Sequence, residues 1–436
     1  MVDSKRCEIL QDTFNRYGRL IRSHVSHQFQ GNSGDKKVRF QEYGNYAIKE
    51  IQIEVSHCDE WPSEAMNEAY TLEVDESKAM ILAEAEWGIM RALETFAQLI
   101  HPVKDQPAVN TTYISDYPRF SFRGLLIDTS RHFLPIQRLK DTISAMAWNK
   151  MNVFHWHIVD KESFPYQSLD LPLMSKLGAY SEFNHVYSHY DVEEIISYAR
   201  HRGVRVIPEF DTPGHTDSWG PGAGDGFLTQ CYDGKENPIP DEFGPIDPTR
   251  SENYDLIKTL FHELSGVFHD SYLHLGGDEV PFGCWKSNPA ITKYMKDHNI
   301  TTYPELESLW ITGVIEIADS LNFNYVVWEE VFTNGVKVNN QTVIEVWKNY
   351  GSNRWNETIA NVTKAGFNAI LSAPWYLNYI EYGVDWTDRY MVEPLNFTGT
   401  ADQKNRVIGG SAAMWGEYVD STNLLSRTWP SASAVG

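Results

Sequence analysis

The hydrophobic rhythm of the chain changes once, close to Asp116. Before it, Ile9, Leu10, Phe14, Tyr17 and Ile21 recur at helical spacing, and Trp87, Met90, Leu93, Phe96 and Leu99/Ile100 make a second helical stripe. Between them Ile51, Ile53 and Val55 alternate with Gln52 and Glu54, and Tyr70, Leu72 and Val74 alternate likewise, which predicts half-buried strands. Residues 1–116 therefore read as a small α+β domain made mostly of core positions, with no catalytic constellation.

After Asp116-Tyr117-Pro118 short apolar runs alternate with helix-length segments. Gly124-Leu125-Leu126-Ile127 leads into Asp128 to His132, Asn152-Val153-Phe154 into His155 to Asp160, and Val204 to Ile207 into Pro208 to His215. Tyr272-Leu273-His274-Leu275 follows, then Tyr325 to Glu330, Val343 to Trp347, Ala369 to Tyr376, and Val407 to Glu417. Eight strands closing on polar or aromatic residues predict an α/β fold, a (β/α)8 TIM barrel over residues 117–436 with one composite pocket at the strand ends. The Gly/Pro-rich stretch 220–249 is long enough to serve as a pocket wall or lid.

The sharpest chemical signal is Gly276-Gly277-Asp278-Glu279, two carboxylates just past a strand end, on glycines that permit close approach. Asp128, Asp160, Asp211, Glu329 and Glu417 could each face Glu279 across the mouth, so a two-carboxylate glycosidase with acids roughly 5–9 Å apart stays open. His155-x-His157 puts two imidazoles on one strand face, a pattern also used for metals. The fifth and sixth strands end in Trp328 and Trp347 and supply no further ligand, so no metal is expected. Trp156, Trp328, Trp347, Trp375, Tyr376 and Trp415 cluster at strand ends where a simple core would carry Val and Ile. Their flat faces suit sugar C–H faces and an acetyl methyl, and Arg131 with the carboxylates suits hydroxyls.

Composition narrows the setting. With 42% hydrophobic and 13% aromatic residues the chain is globular, and its formal charge of −22 disfavours nucleic acid and anionic membrane surfaces. Protonating the 15 His would bring that charge to −7, which suits an acidic compartment. No apolar run approaches the roughly 20 residues of a membrane span, and Met1 to Leu10 has no apolar signal core. Four cysteines, Cys7, Cys58, Cys231 and Cys284, permit two local pairs in an oxidising compartment. Asn110, Asn299, Asn340, Asn356, Asn361 and Asn396 each open an Asn-x-Thr acceptor. A secretory-pathway protein, lysosomal or secreted, is expected.

With these residues assembled, the chain resembles the β-N-acetylhexosaminidases of glycoside hydrolase family 20, of the animal lysosomal type. The resemblance rests on Arg123 to His132, His155 to Asp160, Pro208 to His215, His274 to Val280, Ala373 to Asn378 and Trp415 to Tyr418. It implies a small α+β domain before a catalytic barrel, and a cofactor-free reaction in which the substrate's own 2-acetamido oxygen attacks the anomeric carbon. By the same resemblance Glu279 is the general acid and then the base, and Asp278 orients the acetamide. Like-charge repulsion from Asp278 and a dry, Trp-lined surrounding are expected to help Glu279 hold its proton. Tyr376 would hold the acetamide carbonyl, Trp328, Trp347 and Trp415 would wall in the acetyl group, and Arg131 and Glu417 would bind ring hydroxyls. Asp160 and His215 would form a pair tuning Glu279. The implied disulfides are Cys7–Cys58 and Cys231–Cys284, and the implied assembly is a homo- or heterodimer.

Two departures bear on specificity and completeness. After Trp-Tyr-Leu, one human-type subunit of the family has Asn-Arg, suited to anionic sugars, and the other Asp-Leu. Asn378-Tyr379 keeps the Asn and lacks the Arg, which predicts weak preference for sulfated or sialylated substrates. The family also continues beyond the equivalent of Gly436 through a final helix and another disulfide, so the chain is expected to lack both natural termini, with a less well covered eighth strand, lower stability and impaired dimerisation. A catalytically silent glycan-binding homologue is the rival from another class, and keeping both Asp278 and Glu279 speaks against it. A chitin-degrading relative would carry alternating Asp residues before the Glu, and the chain has none.

Overall fold

The computed structural model describes residues 7–28, 48, 50–103, 106–351 and 354–436. Of the segment Met1 to Leu10, the first six residues lie outside that description. The chain divides into two compact units, residues 1–121 with 200–204, and 122–199 with 205–436.

In the first unit the two helical stripes become the helices Glu8–Gln28 and Glu86–Gln98. Four strands lie in the order Glu50–Val55, Lys78–Ala83, Tyr70–Val74, Thr112–Asp116, the first pair parallel and the others antiparallel. The period of two is visible in burial, with Tyr70, Leu72 and Val74 inside and Glu73 exposed. Leu10, Tyr17, Leu72, Ile81, Leu93 and Phe96 share one apolar cluster, and Cys7 is bonded to Cys58. A cavity of about 340 Å³ borders Leu10, Phe14, Ile51 and Val55, and among the described residues no carboxylate or imidazole lines it.

The second unit is a closed barrel of eight parallel strands: Phe122–Asp128, Val153–His157, Arg205–Glu209, Tyr272–His274, Asn324–Trp328, Val343–Val346, Asn368–Leu371 and Val407–Met414. The eighth pairs with the first from Gly409↔Phe122 to Met414↔Ile127, so no strand edge is left over. Phe122, Val153, Ile207, Val326, Val343 and Ile370, one from each of six strands, meet in a single apolar cluster that marks the inward face. Two residues further along those strands the same face carries Gly124, His155, Glu209, Trp328, Glu345 and Ser372. Barrel interiors are usually filled by branched aliphatics, so this polar layer calls for a reason.

The helices between strands follow ordinary local rules. Tyr303–Ser320, for example, opens on a capping box between Thr302 and Glu305 and buries Leu306, Trp310, Ile311, Val314, Ile315 and Ala318 at helical spacing. The stretch 220–249 carries structure of its own, a single helical turn Gly220–Ala223 and the antiparallel ribbon Leu228–Tyr232 with Pro238–Ile246. Cys231 on this ribbon is bonded to Cys284, and the Trp285 indole donates to the Ile246 carbonyl at 3.2 Å. The ribbon is thereby stapled to the segment that directly follows Glu279.

Candidate active site

The fourth barrel strand stops at His274, and the chain turns through Gly276 and Gly277 at φ +71° and +96°. A Cβ on Gly276 would lie 1.7 Å from Asp211 Oδ1, and one on Gly277 would lie 2.5 Å from Val331 Cγ2, so both positions require glycine. Asp211 fastens the turn by accepting the Gly277 N–H at 2.8 Å. Glu279 itself has φ +50°, a conformation that costs a non-glycine residue about 1 kcal/mol or more. The two acids diverge as a result. Asp278 is buried, while 55% of the Glu279 side chain is exposed at the barrel mouth. The dry surrounding expected for Glu279 is therefore corrected, because the turn aims this side chain outward.

Behind the acids lies a chain of ion pairs from the first three strand ends. Asp160 is fully buried, with Oδ2 2.9 Å from Arg131 Nη2 and 2.7 Å from His157 Nε2, and Oδ1 3.1 Å from His215 Nδ1. Burial works against its charge, but the bonds from His157 and His215 with the Arg131 guanidinium hold its carboxyl far below the usual range. His215 reaches in the other direction, with Nε2 3.8 Å from both Asp278 Oδ2 and Glu279 Oε2. Burial lowers its pKa, yet the nearby Asp278 charge and the bond to Asp160 outweigh that and push it up to about 10. Arg131 also pairs with Asp128 at 3.1 Å and Glu162 at 3.2 Å, and its guanidinium stands 5.1 Å from the Trp415 ring.

Aromatic rings bound the space in front of Asp278. Trp328, Tyr376 and Trp415 form one cluster with Leu126 and Ala413, with Trp347 packed against it. Trp347 stacks on Tyr376 at 6.0 Å, and Tyr376 lies 6.3 Å from Trp415. The Trp347 indole donates to Glu330 at 2.8 Å, and Glu330 is paired with Lys348, also at 2.8 Å. Burial first and the Asp278 charge second push the Glu330 carboxyl up to about 7. Asn378 is half-buried, and Tyr379 and Glu417 are exposed. All six Asn-x-Thr asparagines, Asn110, Asn299, Asn340, Asn356, Asn361 and Asn396, are exposed.

Four carboxylates that could have opposed Glu279 are occupied elsewhere. Asp128 accepts from the backbone of Ser130, Arg131 and Gly416, and Asp160 is paired as above. Asp211 holds the glycine turn, and burial with the neighbouring Asp278 charge pushes its carboxyl well up, toward the neutral acid. Glu329 accepts the backbone N–H groups of Trp347 and Lys348. By contrast, Asp278 Oδ1 is buried and accepts no hydrogen bond among the described residues.

The expectation that the sixth strand supplies no further ligand is corrected at Glu345, which lies on that strand. Among the described residues, His155, His274 and Glu345 bring one ligand atom each within 4.8 Å of one another, as do Asp211, His215 and Asp278. Burial lowers the His274 pKa, but Glu209 and Glu345 carry it up to about 9, and His215 stands at about 10. Within the clusters the imidazoles stand beside carboxylates, His274 Nε2 3.6 Å from Glu345 and His215 Nε2 3.8 Å from Asp278. Sequence reasoning passed over Glu209, His274, Glu330 and Glu345. The signal available was an acid or histidine at an inward position of a buried strand, where a polar residue needs a partner.

Residues 120–436 match the family described as glycosyl hydrolase family 20, catalytic domain, and residues 1–99 match beta-acetyl hexosaminidase like. The chain is 47% identical over 430 residues to beta-hexosaminidase subunit alpha of Mus musculus, covering 98% of this chain and 80% of that protein. It is 47% identical over 432 residues to beta-hexosaminidase subunit beta of Homo sapiens, covering 99% and 76%. Among solved structures, Flavobacterium johnsoniae chitobiase superposes with a TM-score of 0.83 at 26% identity, covering 97% of this chain and 63% of that one.

Proposed function

The chain belongs to glycosyl hydrolase family 20 and is a β-N-acetylhexosaminidase, and we propose that it removes terminal β-linked N-acetylglucosamine or N-acetylgalactosamine by a retaining, substrate-assisted route. The substrate's acetamide oxygen attacks the anomeric carbon while Glu279 gives its proton to the leaving oxygen, which yields an oxazolinium. Water then opens that ring with Glu279 as base, restoring the starting configuration. One observation carries this reading: the carboxylates of Asp128, Asp160, Asp211 and Glu329 are tied down, whereas Asp278 Oδ1 is buried with no donor among the described residues. A buried acceptor of that kind suits an acetamide N–H whose positive charge grows in the transition state.

The other roles follow from position. Tyr376 would hold the acetamide oxygen, with Trp328, Trp347 and Trp415 around the methyl. Arg131, Asn378 and Glu417 would bind ring hydroxyls, and Asp160 with His215 would keep a positive charge beside Glu279 whenever it is ionised. The two disulfides and six exposed acceptors support passage through the secretory pathway to an acidic organelle such as the lysosome. No helix among the described residues is long and apolar enough to cross a membrane. The partner expected is a glycan or glycolipid, and the alpha and beta subunits among its relatives support a dimer.

The test is inhibition by a thiazoline mimic of the cyclised intermediate, measured on the wild type and on Asp278→Asn. Strong inhibition that falls at least about tenfold in the variant supports the route. No inhibition, or a glycosyl adduct trapped on the protein, would overturn it.

A further inference from the structure

The polar middle layer of the barrel includes groups for which the catalytic roles above give no use. Glu209 closes the third strand with no exposed surface, and both of its oxygens are engaged. Oε2 lies 2.7 Å from His155 Nε2 and 2.7 Å from His157 Nδ1. Oε1 accepts the Trp328 indole N–H at 2.8 Å and lies 3.2 Å from His274 Nδ1. The second nitrogen of His157 lies 2.7 Å from Asp160, and Asp160 leads through His215 toward Glu279. A continuous chain of contacts thus runs from the pocket wall at Trp328, through Glu209, His157, Asp160 and His215, to the proton donor.

We propose that Glu209 and His157 are positioning residues for the hydrolysis, with Glu209 serving as one buried anchor for both the acetamide wall and the relay behind Glu279. The inference rests on the reading of Glu279 as the acid. Each nitrogen of His157 faces a carboxylate oxygen, so a neutral ring would set a lone pair against a negative oxygen at one end. Burial opposes charging this ring, and Glu209 with Asp160 outweigh burial and raise its pKa well above the usual value. The doubly protonated ring then donates at both ends, and its bond to Oδ2 leaves Asp160 Oδ1 aimed at His215. Arg131 braces the same Oδ2, and the Trp415 ring covers His157 edge-on at 4.8 Å. On the far side His274 stacks on His155 at 4.5 Å, with Glu345 3.6 Å from His274 Nε2. Glu209 is the member that touches both arms. Its loss should therefore do what two separate lesions would do.

Leaving-group dependence separates positioning from structure. A 2,4-dinitrophenyl N-acetylglucosaminide departs without a proton, whereas a methyl glycoside needs one. His157→Gln should lose at least about tenfold more kcat/KM on the methyl than on the dinitrophenyl substrate, with thiazoline inhibition little changed. Trp328→Phe, which deletes only the indole donor and part of the wall, should weaken the thiazoline about tenfold and slow both substrates alike. Glu209→Gln should show both defects together. The inference fails if Glu209→Gln slows both substrates equally with unchanged inhibition, or if the His157→Gln loss ignores the leaving group. Should Glu209→Gln not fold, the other two variants still carry the decision, and a His157→Gln defect independent of leaving group overturns the anchor. Glu279→Gln is the reference. If it too shows no leaving-group dependence, the acid assignment itself has failed, an outcome distinct from a failure at Glu209 alone.

Discussion

Replacing Glu307 by Gln should flatten the pH dependence of barrel stability by an amount the structure allows to be worked out. Glu307 sits on the helix Tyr303–Ser320 with no exposed surface, and its two oxygens accept from Asn334 Nδ2 at 3.2 and 3.0 Å. Burial pushes its carboxyl from 4.5 up to about 7, against the help of Asn334 and the Lys348 charge. The unfolded chain titrates near 4.5, so between 4.5 and 7 the folded state binds the extra proton. The stabilisation is thus complete below 4.5 and is lost as pH rises through 7. At about 1.4 kcal/mol per unit, the wild type should lose about 2.5 kcal/mol from this group between about pH 5 and about pH 8. Gln carries no charge in that window, so the difference in unfolding free energy between variant and wild type should move toward the variant by about that amount. Urea denaturation followed by tryptophan fluorescence at several pH values measures it. Buried His155, whose depressed pKa works in the opposite sense, is present in both proteins and cancels. Parallel stability curves, with a difference constant to within about 0.5 kcal/mol, would refute the assignment of a charge buried at Glu307. The expected direction also agrees with work in an acidic compartment.

Three further outcomes are expected. Because Asn378-Tyr379 lacks the Arg that the family resemblance links to anionic sugars, kcat/KM on a 6-sulfated glucosaminide should not exceed that on the neutral one, and a clear preference for the sulfated substrate would overturn this reading. Trp347→Phe removes the indole bond to Glu330, leaving that acid with Lys348 alone; thiazoline inhibition should weaken by about three- to tenfold, which a Ki measurement checks. Opening Cys231–Cys284, which closes a loop with a sequence separation of 53, should cost up to about 4 kcal/mol by loop entropy. It should also raise proteolysis within residues 228–246, and unchanged cleavage of that ribbon in Cys284→Ser would refute its stapling role.

How much was legible in advance differs from residue to residue. The eight strand runs could be counted because each breaks off at Gly, Pro or polar residues, and Gly276-Gly277 announced a turn that no side chain could make. Glu329 and Glu330 show where that legibility stops. Alternation says that adjacent side chains point apart and does not say which one enters the pocket. A helix starting at Glu329 breaks the period of two, sending Glu330 to the Trp347 indole and Glu329 to backbone amides. The exposure of Glu279 was likewise unreadable, because it follows from one left-handed residue after the glycines.

By itself the sequence determined the alternating elements, the barrel class and the chemical identity of the groups at its mouth, since these depend on local period, on residue type and on resemblance. Tertiary structure alone decided which charges meet. Glu209 gathers two histidines from the second strand, one from the fourth and a tryptophan from the fifth. Barrel closure sets that register, and no spacing along one strand encodes it.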